Sequence, residues 1–286
     1  MIPIHVDDAP SRRRAFGRRR WMAGSAVVTV ALTAIAWTSA TAQASEARDY
    51  VALGDSYAAG VGAGNYRDLT CRQSIDGSYP ARWVAARTRQ PGDSVVDRSC
   101  NGATIASVAG SQLSDLGSDT GWVTITIGGN DVGFVPTLQQ CVLGDDAACH
   151  RAVQASMARM TTTLPTALDG LFGQIRSKAP QARVVVVGYP LLVAPAGEGH
   201  GCGTLTDGKR ATLNAAAATL ADVTRNSTVS RAGFSYLDGR TVFAGHEACS
   251  ASPWIHGIRG DLTESFHPTP AGHQAYADAL KAVTGP

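Results

Sequence analysis

From about residue 50 onward, short apolar runs alternate with longer stretches of helical spacing. That is the pattern of βα units around a mainly parallel sheet. Five runs predict strands, at 50–53, 94–98, 122–127, 183–188 and 234–237. The run at 183–188 is nearly continuous valine, as expected of a strand buried on both faces. Helices are predicted over 78–89, 149–177, 205–229 and 270–283. The first opens at Ser78 with Pro80 in its first turn, and the second is kinked or split at Pro165. Thr206 and Asp207 are cap candidates for the third. Between them lie loops at 99–110, 128–144, 189–203 and 239–268, where function concentrates in such folds. No internal repeat or domain-scale linker interrupts the pattern.

The segment before residue 43 follows different rules. Arginines fill positions 12–14 and 18–20, and an apolar run extends from Trp21 to Trp37. Small residues follow, with Ala-x-Ala sites ending at Ala42 and Ala44. A basic start, a short apolar centre and an Ala-x-Ala site mark a secretory signal peptide. A spanning helix needs about 20 predominantly apolar residues, and Gly24, Ser25, Thr29 and Thr33 dilute this shorter run. Residues 1–42 are therefore expected to be a cleaved leader and 43–286 a single secreted domain. Arg18-Arg19-Arg20-Trp21-Met22 also fits a twin-arginine signal, so the export route stays open.

Without the leader's six arginines and two aspartates, 19 basic and 21 acidic residues remain, a net charge of −2. No basic stripe with interleaved aromatics suggests nucleic acid, and the chain is expected to act as a monomer without stable membrane insertion. All six cysteines follow the leader. An even number in an exported chain argues for disulfides, with the connectivity left open. Zinc is the alternative, but no Cys-x-x-Cys spacing appears.

Candidate chemistry begins at Ser56, in Tyr50-Val-Ala-Leu-Gly-Asp-Ser-Tyr57. In open parallel sheets, ligands gather outside the carboxyl ends of the strands, where a serine just after the first strand would stand. A lone serine there is usually a helix cap. Gly-Asp-Ser is itself weak evidence, because Gly92-Asp93-Ser94 repeats it as a turn. Gly128-Gly129-Asn130-Asp131 follows the third strand directly, and Asn130 is placed to donate a side-chain N–H to a developing oxyanion. Gly102 follows the second strand and offers a backbone N–H. His267, just before the final helix, suits a general base because its pKa lies near neutrality. His273, inside that helix, reads as structural.

Gly54-Asp55-Ser56, Gly102, Gly128-x-Asn130-Asp131 and His267 together resemble the GDSL, or SGNH, hydrolases, in order and spacing across the whole mature chain. The likeness is closest to the secreted bacterial lipases and esterases with three disulfides. It implies a three-layer α/β/α, flavodoxin-like fold with a mainly parallel five-stranded sheet. It also implies carboxylic ester hydrolysis without a metal or organic cofactor, with Ser56 as nucleophile and His267 as base. The oxyanion hole would comprise the Ser56 and Gly102 N–H groups and the Asn130 side chain. Pairing in sequence order is implied too: Cys71 with Cys100, Cys141 with Cys149, and Cys202 with Cys249.

Two positions depart from the family pattern. Tyr57 replaces leucine in the first block, which is expected to alter packing more than chemistry. Three residues before His267, where the family usually has aspartate, stands Glu264. The histidine's partner is then either Glu264 or the Ser265 backbone carbonyl, with the carbonyl favoured. The expected substrate is a lipid ester. A carbohydrate acetyl esterase and a non-catalytic secreted binding module are the rival readings. Acyl transfer to an alcohol is a further possibility, and an α/β-hydrolase is disfavoured by the lack of a Gly-x-Ser-x-Gly elbow.

Overall fold

A computed structural model describes residues 49–87, 92–195, 197 and 202–285. The predicted leader lies outside the described residues, as does the far end of the helix predicted at 78–89. In chain order the elements are β1 (Asp49–Gly54), α1 (Ser56–Ala59), α2 (Tyr79–Ala85), β2 (Val95–Asp97), α3 (Ile105–Ser107), β3 (Thr120–Thr126), α4 (Phe134–Leu143), α5 (Asp146–Thr162), α6 (Leu164–Lys178), β4 (Arg183–Val187), α7 (Asp207–Val229), β5 (Phe234–Leu237), α8 (Gly239–Val242) and α9 (Pro270–Thr284).

The five strands form one sheet in the order β2-β1-β3-β4-β5, and every pairing is parallel. This is the flavodoxin-like order, whose switch point lies between β1 and β3. The central strands carry the core: Val51, Ala52 and Leu53 of β1, Val123 and Ile125 of β3, and Val184 to Val187 of β4 are almost fully buried. Helices α2 and α9 pack together, and α5, α6 and α7 form a second packed group. Trp83 of α2 meets Tyr50 of β1 and Trp122 of β3, while Phe172 of α6 meets Phe234 of β5.

Caps explain where several helices start. The Ser78, Asp145 and Thr206 side chains accept from the N–H groups of Ala81, Ala148 and Lys209. Such caps satisfy donors that the helix cannot. The predicted helix at 149–177 is two helices, α5 and α6, with Pro165 in the first turn of the second. The predicted loop at 128–144 needs correcting, because most of it is α4. That helix starts from Gly133 at φ 78 with no side-chain cap, so the usual start signal is missing. The predicted loops at 99–110 and 239–268 likewise contain the short helices α3 and α8.

The six cysteines pair in sequence order, Cys71–Cys100, Cys141–Cys149 and Cys202–Cys249. No free thiol remains for a zinc site. Among the described residues, no helix is long and apolar enough to cross a membrane.

Candidate active site

The site is built at the carboxyl ends of β1 and β3. Gly54 ends β1 at φ 120, and a Cβ there would stand 2.2 Å from the Thr126 carbonyl oxygen. Only glycine lets the chain turn so close to β3. The turn is held from the side by Gln112, whose carboxamide accepts from the Gly54 N–H at 2.7 Å and donates to its carbonyl at 3.0 Å. Gln112 lies in a π-helical turn at Val108–Gln112, a form often found at functional sites.

Asp55 then caps α1, accepting from the Tyr57 N–H at 3.0 Å. Its other oxygen accepts from the Tyr189 hydroxyl, which itself accepts from the Gly129 N–H at 3.1 Å. The Asp55–Tyr189 pair thus ties the turn after β1 to the turn after β3. Burial lifts the Asp55 carboxyl to about 7, against the hydrogen bonds from Tyr189 and Tyr57, and burial also raises the Tyr189 phenol.

Ser56 opens α1. First-turn N–H groups of a helix have no intrahelical acceptor, so the Ser56 N–H can serve a ligand. The Ser56 Oγ lies 2.7 Å from His267 Nε2, and His267 Nδ1 lies 3.1 Å from the Ser265 carbonyl. A carbonyl only accepts, so Nδ1 carries the proton and Nε2 accepts from the serine hydroxyl. Burial lowers the His267 pKa to about 4, against the opposing bond to Ser265; His256 and Arg72 lower it further. Glu264 is engaged elsewhere, accepting from the Tyr66 hydroxyl at 2.7 Å.

The His267 segment is held by its backbone. His256 N–H donates to the His267 carbonyl at 2.9 Å, and Phe266 N–H donates to the His256 carbonyl at 3.0 Å. Phe266 adopts φ 59, left-handed for a bulky residue. Its carbonyl accepts from the buried Tyr57 hydroxyl at 2.7 Å. Tyr57 therefore tethers the His267 segment by a hydrogen bond, where the sequence had suggested an effect mainly on packing. His273 is buried in α9 beside the Val61 carbonyl, and burial lowers its pKa to about 3.

Gly102 and Asn130 line the same cleft as Ser56 and His267, an opening of about 390 Å³. Gly102 has φ 76. Asn130 Nδ2 donates to the Ala103 carbonyl at 2.9 Å, which ties the loop after β2 to the loop after β3. The Cys71–Cys100 bridge anchors the Gly102 loop, and Asn101 N–H donates to the Cys71 carbonyl at 2.9 Å. A second, narrow pocket runs inward from Ser56 and Asn130, lined by Leu138, Met160, Leu213 and Leu220. Tyr189, Pro190 and Leu192 line it too, so the loop after β4 serves both packing and the pocket.

The structure thus brings Ser56, His267, Ser265, Gly102 and Asn130 together and leaves the Glu264 carboxylate on another partner. Sequence reasoning missed Gln112, Tyr189 and the Tyr57 hydroxyl contact. Each is a long-range hydrogen bond with no local signature.

The GDSL-like lipase/acylhydrolase family model matches residues 52–275. This chain belongs to that family. It is 39% identical over 272 residues to a lipase of Streptomyces rimosus, covering 93% of this chain and 98% of the relative. It is 41% identical over 254 residues to Lipase 1 of Streptomyces coelicolor, covering 88% and 90%. Among solved structures, phospholipase A1 from Streptomyces albidoflavus aligns at TM-score 0.77 and 40% identity, covering 82% of this chain and 98% of that one. The extracellular lipase from Streptomyces rimosus aligns at TM-score 0.77 and 40% identity, with 82% and 99% covered.

Proposed function

We propose that this carboxylic ester hydrolase, a lipase or esterase, works through an acyl-enzyme on Ser56. His267 Nε2 takes the Ser56 proton as Oγ attacks the ester carbonyl. The oxyanion is received by the Ser56 and Gly102 N–H groups and the Asn130 amide, where one donor is worth roughly 3 kcal/mol. His267 returns the proton to the departing alcohol, and water repeats the sequence on the acyl-enzyme. The Ser265 carbonyl fixes the tautomer and steadies the imidazolium without a carboxylate. No metal or organic cofactor enters these steps.

The observation that carries this reading is the continuous chain from Ser56 Oγ through the imidazole to the Ser265 carbonyl. Lipid esters are the favoured substrates, supported by the apolar lining of both pockets and by relatives named lipase and phospholipase A1. The same reading has residues 1–42 as a cleaved leader and the product exported. Three disulfides suit an oxidising compartment, and the Streptomyces rimosus relative is an extracellular lipase. The same reading has the chain acting as a monomer and without nucleic acid.

The test pairs labelling with kinetics. A fluorophosphonate is expected to modify Ser56, and Ser56→Ala to abolish hydrolysis of a nitrophenyl ester; undiminished turnover by that variant would end the reading. Rates across acyl length then separate a lipid esterase from a carbohydrate acetyl esterase, which would accept acetyl alone. Failure of Ser56 to label would favour a non-catalytic binding module.

A further inference from the structure

Among the described residues, nine large apolar side chains are exposed, and four of them stand around the mouth of the Ser56 cleft. Leu143 is 84% exposed, Leu262 70%, Val135 50% and Ile258 45%. Scattered single apolar residues on a surface need no explanation, whereas a contiguous group does. These four come from two separate segments, α4 and the loop before His267, which converge on one opening.

The charge around them is also unusual. Helix α4 reads Phe-Val-Pro-Thr-Leu-Gln-Gln-Cys-Val-Leu and contains no ionisable group, although it lies at the surface. Charges nearby have partners. Asp261 pairs with Arg72 at 2.7 Å, and Glu264 lies 4.0 Å from Arg259. Asp145 caps α5, and Asp146 accepts from the Thr206 hydroxyl. These four carboxylates face two guanidinium groups, so the rim offers apolar area with no basic excess.

It is also held open. The Cys141–Cys149 bridge closes the turn that carries Leu143, and Lys209 Nζ donates to the Gly144 carbonyl at 2.7 Å. The Thr204 hydroxyl donates to the Val142 carbonyl. Leu143 is fixed facing water.

We infer that this rim docks the protein on an uncharged or zwitterionic lipid surface, with Leu143 and Leu262 entering the apolar layer. The inference rests on the reading of Ser56 as the ester-cleaving nucleophile and extends it to how the substrate is met. Because the rim is continuous with the cleft, an acyl chain leaving the lipid layer reaches Ser56 without crossing water. The lack of a basic excess suits an uncharged or zwitterionic surface, since an anionic one would call for a cluster of unpaired cations.

The experiment uses the mature chain and vesicles of phosphatidylcholine. Binding is measured by cosedimentation in a Ser56→Ala background, so that no lipid is consumed. The double variant Leu143→Asp, Leu262→Asp is expected to bind at least fivefold more weakly than its parent, with an unchanged melting temperature. In the active background, its rate on vesicles should fall at least tenfold more than its rate on a soluble nitrophenyl ester. Equal binding by parent and variant would overturn the inference, as would binding that requires anionic lipid. So would a lipid-free dimer that the two substitutions dissolve, because the patch would then belong to a second copy. Failure of the catalytic reading would appear separately, as soluble-ester hydrolysis that survives Ser56→Ala.

Discussion

His267 rests its Nδ1 on the Ser265 carbonyl at 3.1 Å, two residues back along its own chain. The imidazole is therefore oriented by the backbone of the loop that delivers it. A neutral carbonyl fixes the tautomer as a carboxylate would, but would give less electrostatic support to the imidazolium that the proposed mechanism forms during attack. Burial compounds the effect by disfavouring the charged ring.

Glu264→Ala should accordingly keep most of the activity, within about tenfold in kcat/KM on a soluble ester. The carboxylate it removes holds Tyr66, whose hydroxyl in turn accepts from the Gly62 N–H at 2.9 Å. Its loss loosens a loop and spares the proton path. A fall on the order of 10⁴-fold, the size seen for a triad acid elsewhere, would instead make Glu264 part of the catalytic machinery.

The pH profile follows from the same burial. In the proposed mechanism His267 acts as a base only when neutral, and its pKa is lowered to about 4. The acid limb of kcat/KM should therefore fall well below the ordinary imidazole value of about 6.5. At pH 5.5 an unshifted histidine would be roughly nine-tenths protonated, and a rate already reduced about tenfold there would contradict the assignment.

Stability has its own sign. Between about 6.5 and about 4 the unfolded chain takes up a proton at His267 that the native state does not, and His273 extends that window to about 3. The unfolded state binds more protons, so these residues cost stability as pH falls through that range. Asp55 and Asp97 work the other way. Burial raises their native pKa values to about 7 and about 6, so each holds a proton that the unfolded chain has released down to about 3.8, favouring the native state as pH falls. The melting temperature is expected to change little between pH 6.5 and 5, and a steep fall over that interval would show that the two contributions do not offset.

How much of this could be read from the chain depends on how far each signal reaches. Valine runs such as Arg183–Val187 announce buried strands because the information is contiguous. Helix α4 escaped because it starts at a left-handed glycine without a capping side chain. Ser56, Gly102, Asn130 and His267 were legible as blocks at family spacing. The choice between Ser265 and Glu264 was not, since neighbouring residues offer acceptors and only the loop's path selects one. Gln112 reaches Gly54 across 58 positions, and no local pattern encodes such a contact.

The disulfides should differ in what they contribute. Cys71–Cys100 closes 29 residues and Cys141–Cys149 closes 8. Loop-closure entropy gives about 3.5 kcal/mol for the longer and about 2.5 kcal/mol for the shorter. Replacing both cysteines of the first pair by serine should lower the melting temperature more, and should also reduce kcat because Asn101 and Gly102 lose their anchor. Replacing the second pair should mainly affect the turn that carries Leu143. Equal losses of kcat in both variants, measured on a soluble ester, would argue against a special role for the first bridge.

Tyr57→Phe isolates one hydrogen bond beneath the histidine. The phenol donates to the Phe266 carbonyl at 2.7 Å, and its ring lies 5.2 Å from the His267 ring. Phe266 is held at φ 59, a conformation that costs a bulky residue of order 1–3 kcal/mol. Removing the hydroxyl leaves that carbonyl buried with one acceptor fewer satisfied, at roughly 1–3 kcal/mol, and frees the segment to relax. His267 then aims less consistently at Ser56. The expected result is a fall in kcat of about tenfold with little change in KM and no shift of the acid limb. A lowered melting temperature with kcat intact would make Tyr57 a packing residue, as leucine would be at that position. A change in KM alone would place its effect on the cleft instead of the base. The split between kcat and KM therefore decides whether the tyrosine in this block serves the fold or the aim of its histidine.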